Sequence, residues 1–359
     1  MMKILSFLLA ALLVFLSGCA NIAYYAQSIS GQLQIWGKER PIDDLLQDSG
    51  TPPVLKQKLT AVLRIREFAG NELHLPNNRS YHTYADIERP YVTWNVFATR
   101  EFSTTLERWC FLVAGCVSYR GYFSEAQARN FAAELEQQGY DVYVGGVTAY
   151  STLGWFSDPV LNTFLQRPES EIARLIFHEL AHQRVYVRGD SVFNESFAMT
   201  VELEGVRRWL ENGGAGQKLV SYQATRQKET AFVSLVLKYR GKLAQLYDSP
   251  VTEAEKRLGK KQIFQELQEE YVKLKTDWDG YSGYDRWFAQ NLNNARLAAL
   301  AAYTQLVPAF QTLLAEHHGD LPSFYKAVKE ISNLPKAKRS ETLAALNHDP
   351  NLRYIKEEN

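Results

Sequence analysis

His178-Glu179-Leu180-Ala181-His182, with Glu195 following after twelve intervening residues in Asn194-Glu195-Ser196-Phe197-Ala198, decides how this chain is read. On a helix, residues four apart lie one turn apart on one face, so His178 and His182 project side by side. Two imidazoles so placed, with one more protein ligand, form the donor set of a catalytic Zn2+ whose fourth position stays open for water. Glu179 then stands beside the metal, placed to take a proton from water. A lone histidine on an apolar face is more often a hydrogen-bonded core residue. Two histidines around a glutamate, with a second acidic helix close behind, argue for metal instead.

Arg188-Gly189-Asp190-Ser191 separates the two segments and reads as a tight turn. Gly189 is expected at C′ of the first helix, and Asp190 or Ser191 at the N-cap of the second. The helices then pack as an antiparallel pair, with Glu195 in the opening turns of the second, facing both histidines. Glu202 is seven residues further on and shares that face. It can fix the outer nitrogen of a liganding histidine, or serve as the third ligand itself. Glu204 is off the face and is expected in solvent.

The stretches His178–Gln183 (HELAHQ) and Asn194–Gly205 (NESFAMTVELEG) resemble the two zinc-binding helices of the gluzincin aminopeptidases. That resemblance implies Glu195 as the zinc ligand and Glu202 as the later glutamate of the pattern. The chain departs from the pattern in a shorter spacing between His182 and Glu195. It also lacks an upstream GAMEN-type segment, which in that family binds the substrate's amino terminus. Through Trp109–Phe123 (WCFLVAGCVSYRGYF), Ala149–Pro159 (AYSTLGWFSDP) and Phe177–Ala198, the chain resembles a group of bacterial lipoproteins described as aminopeptidases. The resemblance implies a peptide substrate held in extended form by an edge strand beside the zinc helix. Ala149, Tyr150 and Ser151 are the candidates for it. An ordinary buried strand is the alternative.

The expected chemistry needs a donor for the tetrahedral oxyanion, commonly a tyrosine or histidine. Tyr303 is the first candidate, then Tyr281 and Tyr284, a structural role being the alternative for each. No residue is assigned to the substrate's ammonium group.

The chain has 359 residues, with 40 Lys plus Arg against 40 Asp plus Glu. It has no basic run or stripe, which argues against nucleic acid as a partner. Met1-Met2-Lys3 precedes an apolar run, Ile4 to Leu16, too short for a comfortable membrane span. Leu16-Ser17-Gly18-Cys19 resembles a lipobox, so the protein is expected to be exported and anchored to a membrane by acyl chains on Cys19. A cleaved signal with a chance cysteine is the alternative. Ala20 after the cysteine matches outer-membrane sorting, facing the periplasm, if the cell is Gram-negative. In an oxidising compartment Cys110 and Cys116 can form a disulfide. A straight strand would hold their Cα atoms roughly 20 Å apart, so a bridge requires a turn at Ala114-Gly115. Two buried thiols are the alternative.

The fold class expected is α+β: a small mixed sheet, then the zinc helix pair, then a mainly helical C-terminal part. Residues 1–18 are read as signal, 19–40 as tether and start of the first helix, 41–212 as the α+β part with the zinc helices, and 213–359 as the helical part. Helices are expected near 41–48 and 52–70, and a strand over Tyr91–Ala98. A β-α-β unit is expected from the Ser124/Gln127 capping box, a helix over 125–138, and a strand over Asp141–Val147. Further helical runs are expected near 192–212, 217–246, 252–277, 283–315, 321–332 and 337–347. Three functions compete: a lipid-anchored zinc aminopeptidase; a zinc endopeptidase or cell-wall peptide hydrolase; and a non-catalytic lipoprotein that binds a partner.

Overall fold

A charge-free run, Tyr24 to Trp36, opens the part of the chain that the computed structural model describes: residues 24–111, 115–149, 151–213 and 216–346. The leader, Cys19, Ala114 and Tyr150 lie outside the described residues. The run forms helix α1 (24–36), followed by β1 (Glu39–Pro41), α2 (Ile42–Gln47), α3 (Pro53–Asn71) and β2 (Thr83–Ala85). Then come β3 (Thr93–Arg100), β4 (Trp109–Phe111), β5 (Gly115–Val117), β6 (Arg120–Tyr122), α4 (Glu125–Gln137), β7 (Tyr140–Val147), β8 (Val160–Leu161) and α5 (Asn162–Leu165). The rest is helical: α6 (Glu169–Arg184), α7 (Ser191–Asn212), α8 (Gly216–Asp248), α9 (Glu253–Asp277), α10 (Asp285–Phe288), α11 (Asn294–Thr304), α12 (Val307–Glu316), α13 (Leu321–Ser332) and α14 (Lys336–Leu346). The class is α+β.

The strands form small sheets. β2 pairs antiparallel with β1 and parallel with β8. β3 is the centre of an antiparallel sheet ordered β6-β3-β7. The expected β-α-β unit is β6-α4-β7, with β3 inserted between its two strands. Residues Trp94–Thr99 of β3 are all buried, because α4 and α11 both pack on this sheet; a strand covered on both faces loses its polar alternation. Ser124 caps α4 by accepting from the Gln127 backbone, whereas the full reciprocal box forms at Thr252 and Glu255 on α9. β4 and β5 form a hairpin in which Cys110 lies opposite Cys116. Their Cα atoms lie 3.8 Å apart, and the two are joined by a disulfide.

Two expectations about the helices are corrected. Gly189 is not the C′ residue of α6: that helix ends at Arg184 with Val185 already extended. Gly189 instead takes φ +82° in the turn closed by Asp190 N–H on Val187 O. The run near 283–315 is broken into α10, α11 and α12. Asn293 is extended and caps α11, while its side chain donates to Val142 O of β7. Pro308 has no N–H to continue the ladder from α11 into α12. The window Asn294–Glu316 is long and apolar enough to cross a membrane, but 61% of it is buried inside the protein.

The largest hydrophobic core takes residues from both sides of the expected 212/213 boundary. Phe177 of α6, Phe193 and Phe197 of α7, Phe310 of α12 and Phe324 of α13 are fully buried in it. α7 lies close against α6 at Gly205, where a Cβ would stand 2.7 Å from the Phe177 ring. Truncating Phe197 to alanine here would cost about 3–5 kcal/mol. A second core joins α8, α9, α10 and α11.

Candidate metal centre

α6 buries Ile172, Ala173, Ile176, Phe177, Leu180 and Ala181 along one stripe, the period expected of an amphipathic helix. This seats α6 against α3 and α7 and turns His178 and His182 towards α7. α7 begins at Asp190, whose side chain accepts from Phe193 N–H. The Asn194 side chain bonds both the N–H and the carbonyl of Val187, at 2.7 and 2.8 Å. That clasp fixes the turn, and Glu195, next in sequence, faces the histidines.

Three ligand atoms converge. His178 Nε2 lies 3.2 Å from His182 Nε2 and 3.2 Å from Glu195 Oε2; His182 Nε2 lies 3.6 Å from the same oxygen. A tetrahedral ion bound at about 2.0–2.2 Å separates its ligand atoms by about 3.3–3.6 Å. The triangle therefore has the edge lengths of one face of such a site, and the three side chains can hold a metal ion.

Glu202 is placed on the opposite nitrogen. Its Oε2 is 2.8 Å from His178 Nδ1, while Arg174 Nε donates to its Oε1 at 2.6 Å. A carboxylate can only accept, so in the neutral ring the His178 proton sits on Nδ1 and a lone pair is left on Nε2. That lone pair and the Glu195 carboxylate would then face each other, so the contact is held either by a second proton on the ring or by a cation bound between them. Arg174 in turn reaches Glu229 of α8 at 3.3 Å. His182 Nδ1 is buried with no partner among the described residues.

The electrostatics agree. Burial disfavours charge on His178, but hydrogen bonds to Glu195 and Glu202 outweigh it and raise its pKa well above the ordinary histidine value. Burial also opposes charge on Glu195, yet the His182 charge and the histidine hydrogen bonds hold it down to about 2. The site is thus a negative pocket that recruits positive charge. Glu179 behaves differently: burial pushes its carboxyl up to about 7, opposed by His178 and His182.

The centre opens into a cleft of about 430 Å³. Tyr303 lies in its lining, carried there by the packing of α11 on α7. Tyr281 and Tyr284 do not; Tyr284 stacks on Phe232 at 4.0 Å in the second core. Tyr119 and Tyr186 also line the cleft, and burial and the Glu195 charge raise the pKa of both. Neither was expected from sequence, although Tyr186 follows His182 by four residues. Ala149 and Ser151 line the cleft too, but not as a strand. The Asp158 carboxylate accepts from Thr152 N–H, Thr152 Oγ1 and Ser151 Oγ, and Leu153 and Gly154 take positive φ, so the segment turns. Gln183 Nε2 also donates to Asp158, which ties the end of α6 to this loop. The sheet edge nearest in sequence is β7, which lies at the border of its sheet and ends at Val147 in the cleft. Glu204 is off the ligand face as expected, but Arg207 and Arg208 hold it at 2.7 Å rather than leaving it in solvent.

Residues 23–343 match the family model described as "Putative aminopeptidase". The chain belongs to this family. No curated protein and no solved structure matches it. Every residue of the ligand triangle, together with Glu179, Glu202 and Tyr303, falls inside the stretch that the family covers.

Proposed function

We propose that the protein is an exported zinc metallopeptidase, anchored to a membrane through Cys19, that hydrolyses peptide bonds at or near amino termini. The observation that carries this reading is the convergence of His178 Nε2, His182 Nε2 and Glu195 Oε2 beside a buried Glu179, all at one cleft. Membership of the aminopeptidase family supports the substrate class.

A bound zinc ion would lower the pKa of water to about 7 and polarise the substrate carbonyl. The rest of the chemistry belongs to side chains. Glu179 accepts a proton from the attacking water as the new C–O bond forms, then gives it to the amine as the C–N bond breaks. A carboxyl tuned towards neutrality is suited to both transfers. Tyr303, kept protonated by burial beside Glu195, donates to the oxyanion. Glu202 and Arg174 hold the His178 ring in one tautomer. The peptide lies extended along the end of β7, with Ala149 and Ser151 beside it.

One observation favours a second reading, an endopeptidase. Among the described residues that line the cleft, Glu179 and Glu195 are the only carboxylates, and both have other tasks. No free acid is left there to hold a substrate ammonium group. The test is hydrolysis, by zinc-loaded protein, of one peptide set with free and with acetylated amino termini. Cleavage of the free peptides alone establishes an aminopeptidase. Cleavage of both establishes the endopeptidase, and cleavage of neither moves the weight to a partner-binding lipoprotein.

A further inference from the structure

Ten large apolar side chains are strongly exposed among the described residues, and five of them gather on one face. Ile29 (61% exposed), Leu33 (55%) and Trp36 (38%) recur along α1 at intervals of four and three, which places them on a single stripe. Trp155 (73%) and Phe156 (52%) project from the loop after β7. The two sets join, because the Trp36 and Phe156 rings meet edge to face at 4.8 Å. The opposite side of α1 is fixed to the protein: Ile35 is buried, and the Phe123 ring fills the space where a Cβ on Gly31 would stand.

From this patch we infer that α1 and the Trp155-Phe156 loop form a docking face that seats the protein on the lipid bilayer surface. Soluble proteins rarely expose a contiguous apolar patch of this kind without a partner. The composition names the partner. Residues 24–36 (YYAQSISGQLQIW) hold no charged side chain, so no ion pairing to a protein surface is offered. Tryptophan and phenylalanine beside leucine and isoleucine suit the boundary between headgroups and acyl chains. Position agrees as well. Cys19 lies five residues before the first described residue of α1, a reach of roughly 17 Å at full extension. Acyl chains on Cys19 would bring this face within reach of the membrane. The inference thus rests on reading Cys19 as acylated.

The consequence for function is orientation. Tyr24, Tyr25 and Ser28 of the same helix line the cleft. The helix that docks is therefore also a wall of the candidate active site, and the cleft lies beside the bilayer surface. Substrates would be peptides presented at the membrane.

The test uses the full protein, purified from membranes and reconstituted on phosphatidylethanolamine/phosphatidylglycerol vesicles whose acyl chains carry bromine. Two of the seven tryptophans, Trp36 and Trp155, lie on the proposed face. Bromolipid should quench part of the tryptophan emission, more strongly with bromine near the glycerol end than near the chain terminus. The variant W155S/F156S should lose roughly half or more of that quenching, and I29S/L33S should reduce it independently. These side chains are exposed, so the variants keep the fold. Absence of quenching in the unsubstituted protein overturns the inference, as does quenching that neither variant diminishes. A second copy seated on the face would show as a dimer in sedimentation that both variants abolish, again without quenching. Mass analysis of the N-terminal peptide reports acylation of Cys19 separately. Loss of the anchor reading is thus distinguished from loss of the docking face.

Discussion

Glu202 accepts from two directions: its Oε2 lies 2.8 Å from His178 Nδ1 and its Oε1 takes the Arg174 Nε–H at 2.6 Å. A candidate ligand histidine is thereby tied to a partly buried guanidinium through one carboxylate, and the tie spans α6 and α7. Burial alone would raise the Glu202 pKa, but the Arg174 charge and the His178 hydrogen bond hold it below the ordinary value. Glu202 therefore stays ionised and acts only as an acceptor.

Glu202→Gln keeps the size and removes the charge. It should weaken zinc binding by about 10–100-fold, the usual effect of losing such a support. Competition against a chromophoric chelator measures this directly. Unchanged affinity would mean that Glu202 serves only to neutralise Arg174.

How much of this site could be read from sequence depended on distance along the chain. His178, Glu179 and His182 form a local pattern that a helix repeat alone brings together, and Asp190 was legible as an N-cap for the same reason. Arg174 lies one turn before His178, but its role requires Glu202 from α7 and Glu229 from α8, which no local pattern encodes. Tyr119, between β5 and β6, and Tyr186, just beyond α6, are 67 residues apart and meet only in the folded cleft. The segment from Ala149 is expected as an edge strand because the family resemblance implies one, but Ala149 and Ser151 are not in a strand. The Asp158 carboxylate, seven residues beyond Ser151, takes the hydroxyls and bends it instead. The fold class was legible because helical periodicity dominates after residue 190. The breaks within 283–315 were not, since Asn293 leaves the helix to bond β7.

Among the cleft tyrosines, Tyr303→Phe should lower kcat by about 10²–10³-fold with little change in KM, if its hydroxyl donates to the oxyanion. Tyr119→Phe and Tyr186→Phe should have smaller effects. Steady-state kinetics on one good substrate ranks the three. A larger loss in the Tyr119 variant would transfer the role to that residue.

Arg339 of α14 donates twice to Asp190 Oδ2, at 2.7 and 2.9 Å, while the other Asp190 oxygen caps α7. Both side chains are largely buried. Arg339→Met leaves the Asp190 charge without its partner and should destabilise the protein by about 3–5 kcal/mol. Urea unfolding of the zinc-loaded protein reads the loss. A change below about 0.5 kcal/mol would place the pair with exposed ion pairs of little worth.

Glu179→Gln separates enzyme from scaffold. The amide fills the same space but cannot take a proton from water. Glu179 is not part of the ligand triangle, so zinc content should stay at the unsubstituted level. Turnover should fall by about 10²–10⁴-fold, the range for loss of a positioned general base. Elemental analysis and kcat on the same preparation give both numbers. Retained zinc with lost turnover supports the assigned role. Retained turnover would require another base in the cleft, where the described lining offers no further carboxylate but Glu195, whose pKa is held down to about 2, and otherwise the two histidines of the candidate ligand triangle. Lost zinc would instead show that Glu179 helps to set the charge balance that draws the ion in, which its position between two histidines makes measurable by the same chelator competition used for Glu202.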